Sequence, residues 1–336
     1  DVVQDTDAAI RLTAFTFGED YREYDRGVTF SSDLTTSVDE NTITNSGELQ
    51  ATNFGIDVRA SAVSTLMSVA NRDVGDDVGS YTGDAGRTVR TVVANTDLDE
   101  TATVDLNQIT NSGAITSYDR GIALSADAFA YAGARAYGES NDRSITSFSA
   151  TMISTATATA DASAYIRDNT ITNTGTISVL VDGIFGEDAF DGDGIALLAA
   201  AGAEADAEAD ARATVWADDD SSGSESPDAD ATAIATATSS AFASVDGNTI
   251  ENTGTIFAER HGIVLNADAG AYADADAYAV SVERVGSSGG LFNDGADPDL
   301  AETETPTSSF QSIVLDYTII NSGSIIGVYG SSICIG

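Results

Sequence analysis

The chain has 336 residues, with 54 acidic side chains against 14 basic ones, for a formal net charge of −40, and every basic residue is an arginine. So acidic a surface repels phosphate, which excludes nucleic acid as a partner, and it suits a salty exterior or bound cations that screen the self-repulsion. The hydrophobic share of 42% is enough for a core, but much of it is alanine, so that core is expected to be thin.

No run of about 18 apolar residues occurs, so no transmembrane helix is expected, and no charged-then-apolar leader is found. The chain opens on Asp1 rather than methionine, which fits either a processed, exported protein or an arbitrary boundary of the chain. Cys334 is the single cysteine, which rules out a disulfide framework and leaves a small buried hydrophobe or an intermolecular bridge. No Asn-x-Ser/Thr sequon is present, so no N-glycan is expected.

From the N-terminus, the first element is a β-prone run, AAIRLTAFTF (residues 8–17), without a corner motif of its own. The phrase DRGVTF (25–30) matches DRGIAL (119–124), so the chain is expected to enter partway through a repeat. The repeat is carried by a turn motif written five times, as in NTITNSG (41–47) and NTITNTG (169–175). Its second asparagine recurs at Asn45, Asn111, Asn173, Asn252 and Asn321, giving periods of 66, 62, 79 and 69 residues. Self-similarity of this kind is the signature of a solenoid.

Each copy continues with an aliphatic residue two past the glycine (Leu49, Ile115, Ile177, Ile256, Ile325), and in four copies a Gly-Ile pair then opens a long run. GIALSADAFAYAGARAYG (121–138) and GIVLNADAGAYADADAYAV (262–280) alternate strictly, with alanine on one side and acids or tyrosines on the other. Period two means strand, overriding the helix propensity of alanine. A variable acidic segment follows, and then a second alternating run such as SATMISTATATADASAYIRDNTI (149–171).

The expected fold is therefore all-β. It is a parallel β-solenoid of about five wide rungs, each a strand out, a variable tip, a strand back and a tight corner. Arms of roughly 16 residues would reach about 50 Å. Long antiparallel hairpins, or two or three smaller coils per period, remain open alternatives. One domain is expected over residues 1–336, with a partial rung at 1–40, stacked rungs at 41–320 and an edge rung at 321–336.

The phrase N-x-G-x-I followed by G-I-x-L resembles the repeats of parallel β-helix passengers of autotransporters and filamentous-haemagglutinin-like adhesins. It covers about 14 to 18 residues per period. The resemblance implies an exported, elongated surface protein used for adhesion or as a structural fibre.

Stacking would place the five corner asparagines one above another, their amides bonding along the stack. Gly47, Gly113, Gly175, Gly254 and Gly323 are expected to supply positive φ for the turn. The acidic tips, at 73–84, 185–194, 217–230 and 293–304, read either as solvated loops or as calcium sites, because hard cations take clustered carboxylates. Asp188, Asp191 and Asp193 are the best cluster within a tip. Counted from each Gly-Ile pair, Asp206 aligns with Asp274 and Glu208 with Asp276, so in-register rungs would bring like charges together and invite calcium there. Tyr131 with Tyr272, and Tyr137 with Tyr278, align in the same frame. They are expected either to pack across rungs or to contact surface glycans.

Catalysis is not expected. His261 is the only histidine and lysine is absent, so most nucleophile and base arrangements are unavailable. A carboxylate-only polysaccharide hydrolase using Asp182, Asp191 and Asp193 is the minor alternative. Both ends are β-prone and apolar, through Ile10, Leu12, Phe15 and Phe17 at one and Ile325, Ile333 and Ile335 at the other. They predict a head-to-tail homopolymer, an extracellular surface filament built by strand addition. A carbohydrate- or cell-binding adhesin stalk is the alternative.

Overall fold

The computed structural model describes residues 2–5, 7–25, 27–74, 87–144, 149–180, 192–218, 228–286 and 299–336. Within them every regular element is a strand and every strand pairing is parallel. The chain climbs in rungs of four strands. The first holds β1 (Val2–Asp5), β2 (Ala8–Tyr24), β3 (Gly27–Asp39) and β4 (Thr42–Asn45). The second holds β5 (Glu48–Ala51), β6 (Phe54–Val74), β7 (Arg87–Asp105) and β8 (Gln108–Asn111). The third holds β9 (Ala114–Ser117), β10 (Arg120–Ser144), β11 (Ser149–Arg167) and β12 (Thr170–Asn173). The fourth holds β13 (Thr176–Val179), β14 (Asp193–Asp218), β15 (Asp228–Asp246) and β16 (Thr249–Asn252). The fifth holds β17 (Thr255–Ala258), β18 (Ile263–Gly286), β19 (Asp299–Leu315) and β20 (Thr318–Asn321), and β21 (Ser324–Gly327) and β22 (Ile333–Ile335) begin a sixth.

Corresponding strands of successive rungs pair to give four sheets. The out-arm sheet runs β2-β6-β10-β14-β18-β22 and the back-arm sheet β3-β7-β11-β15-β19, while the two corner sheets contain the four-residue strands. The protein is thus a parallel β-solenoid with wide rungs, and neither the antiparallel hairpin nor the multiple-coil alternative is adopted.

The out arms β6, β10 and β14 hold 21, 25 and 26 residues, longer than expected, and β6 and β14 extend into the first residues of the acidic tips. At ~3.3 Å per residue they span about 70 to 85 Å.

Alanine explains how two such arms lie against each other. Ala60, Ala126 and Ala199 form one inner column of the out-arm sheet, and Ala158 with Ala237 one of the back-arm sheet, all buried. Small side chains at every second position let two flat surfaces meet, whereas a helix would scatter the intervening acids around its circumference. The corner end, where three faces converge, needs volume instead. There Ile56, Ile122, Ile195 and Ile263 stack in one column, and Ile109, Ile171 and Ile250, then Ile115, Ile177 and Ile256, in two others. Truncating one of these to alanine is worth about 2–5 kcal/mol.

The N-terminal rung corrects one expectation. Ile10 pairs with Ile56, so the out arm begins at AIRL, and DRGVTF lies on the return, with Gly27 opposite Val93. The first rung therefore contributes to all four sheets, with a short tip, and the likeness of DRGVTF to DRGIAL is one of composition rather than position.

Candidate functional site

The corners are built from two parallel amide ladders. Asn45 Nδ2 donates to Asn111 Oδ1 at 2.8 Å, Asn111 to Asn173 at 2.8 Å, Asn173 to Asn252 at 2.7 Å and Asn252 to Asn321 at 2.8 Å. The first asparagine of the first four motifs forms a second ladder, Asn41 to Asn107 to Asn169 to Asn248, at 3.0–3.1 Å, and Tyr317 holds that place in the fifth. In that ladder each acceptor oxygen also takes the backbone N–H of the preceding rung's asparagine, and Asn107, Asn169 and Asn248 donate to the Val38, Val104 and Ile166 carbonyls. Buried amides satisfied this fully set register and rigidity.

The corner glycines act differently from expectation. Gly47, Gly113, Gly175, Gly254 and Gly323 do not have positive φ. A Cβ on any of the last four would collide with the carbonyl of the glycine one rung before, so glycine is required by the close approach of stacked backbones. The left-handed residue is the one that opens each corner motif from outside, before Asn41, Asn107, Asn169, Asn248 and Tyr317: Glu40, Leu106, Asp168, Gly247 and Asp316, with φ of 47–66°. The five span four residue types, with aspartate twice, so composition gave no common signal for them.

On the outer face of the out-arm sheet, Asp206 pairs with Asp274 and Glu208 with Asp276. Arg135, one rung earlier, reaches Glu208 at 3.4 Å and Asp206 at 3.7 Å. Burial pushes the Asp206 carboxyl up, Arg135 pulls it down, and Asp274, Glu208 and Asp276 add to the rise. Among the described residues no group of three or more His, Cys, Asp or Glu side chains is arranged to hold a metal ion. Asp182, Asp188 and Asp191 lie outside the described residues. Asp193 is fully buried, accepts the His261 backbone N–H at 3.2 Å and sits 3.0 Å from His261 Nδ1. Burial raises its pKa and His261 opposes the rise, so Asp193 fastens the start of β14 to the turn preceding β18.

A second acidic column was not anticipated. On the back-arm sheet Asp33, Asp99 and Asp161 pair in consecutive rungs. Burial raises the pKa of Asp99 and Asp161, and neighbouring carboxylates add to both, Asp33 and Asp97 for the former, Asp99 and Asp97 for the latter. Each stands eight residues before the first corner asparagine (41, 107 and 169), and that offset was the available signal.

The tyrosines neither pack nor pair across adjacent rungs. Glu204 separates Tyr131 from Tyr272, and Asp210 separates Tyr137 from Tyr278, so each pair is two rungs apart, about 9.6 Å. Burial, with help from Glu208, pushes the Tyr137 hydroxyl up to about 12.

One acid points inward. Glu100 occupies an inner column between Leu34 and Ala162, is fully buried, and accepts a hydrogen bond from Ser64 Oγ at 2.5 Å, leaving Oε2 unpartnered. Desolvation, opposed by Ser64, raises its pKa to about 7.

The two ends are finished differently. At the N-terminal end Ile10 and Leu12 begin core columns and are half-buried, while Phe15 and Phe17 stack on the outer face, their ring centroids 6.4 Å apart. Those phenylalanines therefore belong to the side of the solenoid and not to its end. At the other end β19 breaks the alanine pattern: its inner positions Glu302, Glu304 and Pro306 pair with Ala233, Ala235 and Ala237. Glu304 accepts the Ala277 N–H at 3.2 Å and Glu302 that of Ala279 at 3.0 Å, capping the edge of β18 with carboxylates. Inward charges and a proline blunt an edge strand. The corner side of this end has no such device. Ile325, Ile333 and Ile335 continue the apolar columns there, and Cys334 is half-buried beside Val264.

No family model, curated protein or solved structure matches the chain. The likeness to autotransporter and haemagglutinin-like passengers therefore stands at the level of the parallel β-solenoid.

Proposed function

We propose that the protein is a non-enzymatic structural subunit of an extracellular surface filament or matrix fibre, adding head to tail through the corner side of its terminal layers. The observation that carries this reading is the apolar C-terminal corner. Val328, Tyr329, Ile333 and Ile335 are 39–75% exposed on a molecule of net charge −40. A cluster of this kind on so charged a surface marks an interaction site. Ile325 and Ile333 extend columns that a further rung would cover, and Ile10 and Leu12 open the out-arm columns at the other end. Contact between unlike ends of identical subunits propagates as an open filament.

The Glu302 and Glu304 cap restricts addition to the corner, and calcium on the Asp206/Asp274 and Glu208/Asp276 columns would lower repulsion between neighbouring rungs. The charge, which needs salt to screen it, supports a location outside the cell.

Val328→Asp with Tyr329→Asp tests the reading, since both side chains are exposed and the fold should survive. Negative stain and light scattering should show filaments for the wild type and monomers for the variant. A wild type that stays monomeric at every concentration, or filaments unchanged in the variant, overturns it. A glycan-binding adhesin is the second reading, favoured by Tyr272 and Tyr278, 59% and 55% exposed on one strand face. Glycan-array binding lost in Tyr272→Ala would support it.

A further inference from the structure

The outer face of the back-arm sheet carries a two-dimensional array of threonines. Thr157, Thr236 and Thr305 pair in consecutive rungs, and so do Thr159, Thr238 and Thr307 two residues further on. The column two residues before repeats the pattern with Ile234 at its centre. Parallel pairing in exact register sets the hydroxyls ~4.8 Å apart across rungs and ~6.6 Å apart along each strand.

Strand propensity does not account for this choice. Outward positions of the out-arm sheet, equally exposed and equally β, hold Tyr131, Arg135, Glu204 and Asp206. Val, Ile and Tyr would serve a strand as well as Thr. The array positions themselves are also free of charge on a chain of net charge −40, with Asp97 and Asp161 bordering them at Thr159. A neutral field on such a molecule does not fit a cation or a polyelectrolyte, and pairing two copies through it would bring two strongly negative bodies face to face. What it matches is a neutral partner that is itself periodic in two directions and hydrogen-bonds at each repeat.

We propose that the threonine face binds ordered water, specifically the surface of an ice crystal. The hydroxyls take lattice positions of water while the neighbouring methyl groups and Ile234 pack against the lattice between them. The cross-rung spacing is close to the shortest lattice repeat of hexagonal ice, and a lattice, unlike a discrete ligand, rewards identical contacts made many times over a rigid surface. The site is separate from the corner through which subunits are proposed to add.

The test uses the full-length protein in a nanolitre osmometer with microscopy of single ice crystals. The wild type should shape the crystals and hold their growth below the melting point. Thr236→Tyr, at the centre of the array, should lose most of that activity with an unchanged far-ultraviolet spectrum, while Asp268→Asn, exposed on the opposite sheet, should retain it. Absence of both effects in the wild type at millimolar protein overturns the proposal, as does full activity in Thr236→Tyr. Binding to insoluble cellulose or chitin without any effect on ice also overturns it, and reassigns the face to a crystalline polysaccharide.

Discussion

Glu100→Gln removes a carboxyl from the inner face of the back-arm sheet while keeping its volume and its acceptor for Ser64. The folded protein holds the Glu100 pKa at about 7, against 4.5 for the free side chain, chiefly because the site excludes water. A raised pKa means that the folded state binds the proton more tightly than the unfolded one. Its contribution to stability is complete below about pH 4.5 and is lost as pH rises through 7. The shift corresponds to at most about 3 kcal/mol, most of it lost between pH 5 and 8. The glutamine variant lacks this dependence but leaves an amide hydrogen unsatisfied in place of Oε2, a penalty that does not change with pH. Urea denaturation of both proteins at pH 5, 6, 7 and 8 isolates Glu100 and its coupling to Asp99 and Asp33, because acids remote from it titrate alike in the two and cancel in the difference. The difference in unfolding free energy should move by about 2–3 kcal/mol in favour of glutamine from pH 5 to pH 8. A difference constant within about 0.5 kcal/mol would show that water reaches the carboxylate and would refute the reasoning.

Asn173→Ala leaves the Asn111 amide without its acceptor and Asn252 Oδ1 without its donor, two buried orphans that together should cost about 2–5 kcal/mol in denaturation. A loss below about 1 kcal/mol would mean that the ladder is decoration on a register set by the backbone. Arg135→Gln uncouples the carboxylates of Asp206 and Glu208 and should lower stability by about 1 kcal/mol at low ionic strength, an effect that added salt removes. Millimolar calcium should then raise the melting temperature more in the variant than in the wild type. Melting curves indifferent to calcium and chelator in both proteins would remove calcium from the functional reading.

Much of this architecture was legible because the markers recur at fixed offsets. Counting from each Gly-Ile pair predicts the pairing of Asp206 with Asp274, and the strict alternation of alanine separates inner from outer faces. The back arms lack a Gly-Ile marker, so the Asp33–Asp99–Asp161 column emerges only by counting backward from the corner asparagines. Glu100, Glu302 and Glu304 were visible as acids in the apolar phase of an alternating run, but what they do depends on partners in other strands: Ser64 for the first, the Ala279 and Ala277 amides for the others. Backbone conformation was the hardest to read. Positive φ falls on Glu40, Leu106 and Asp168 because the corner geometry imposes it, and the glycines nearby answer to a steric limit set by the neighbouring rung.

The uneven periods have a consequence for how such a chain is assembled. Consecutive corner asparagines are 62 residues apart in one rung and 79 in the next, yet both intervals close on amide bonds of nearly equal length. A one-residue slip within an arm would turn its alanines toward water, but the return to the corner resets the phase before the next turn begins. Each finished turn thus serves as a template for the one that follows, and pairing errors stay local instead of accumulating along the solenoid. Lengthening or replacing a tip should for the same reason leave the turns above and below it undisturbed.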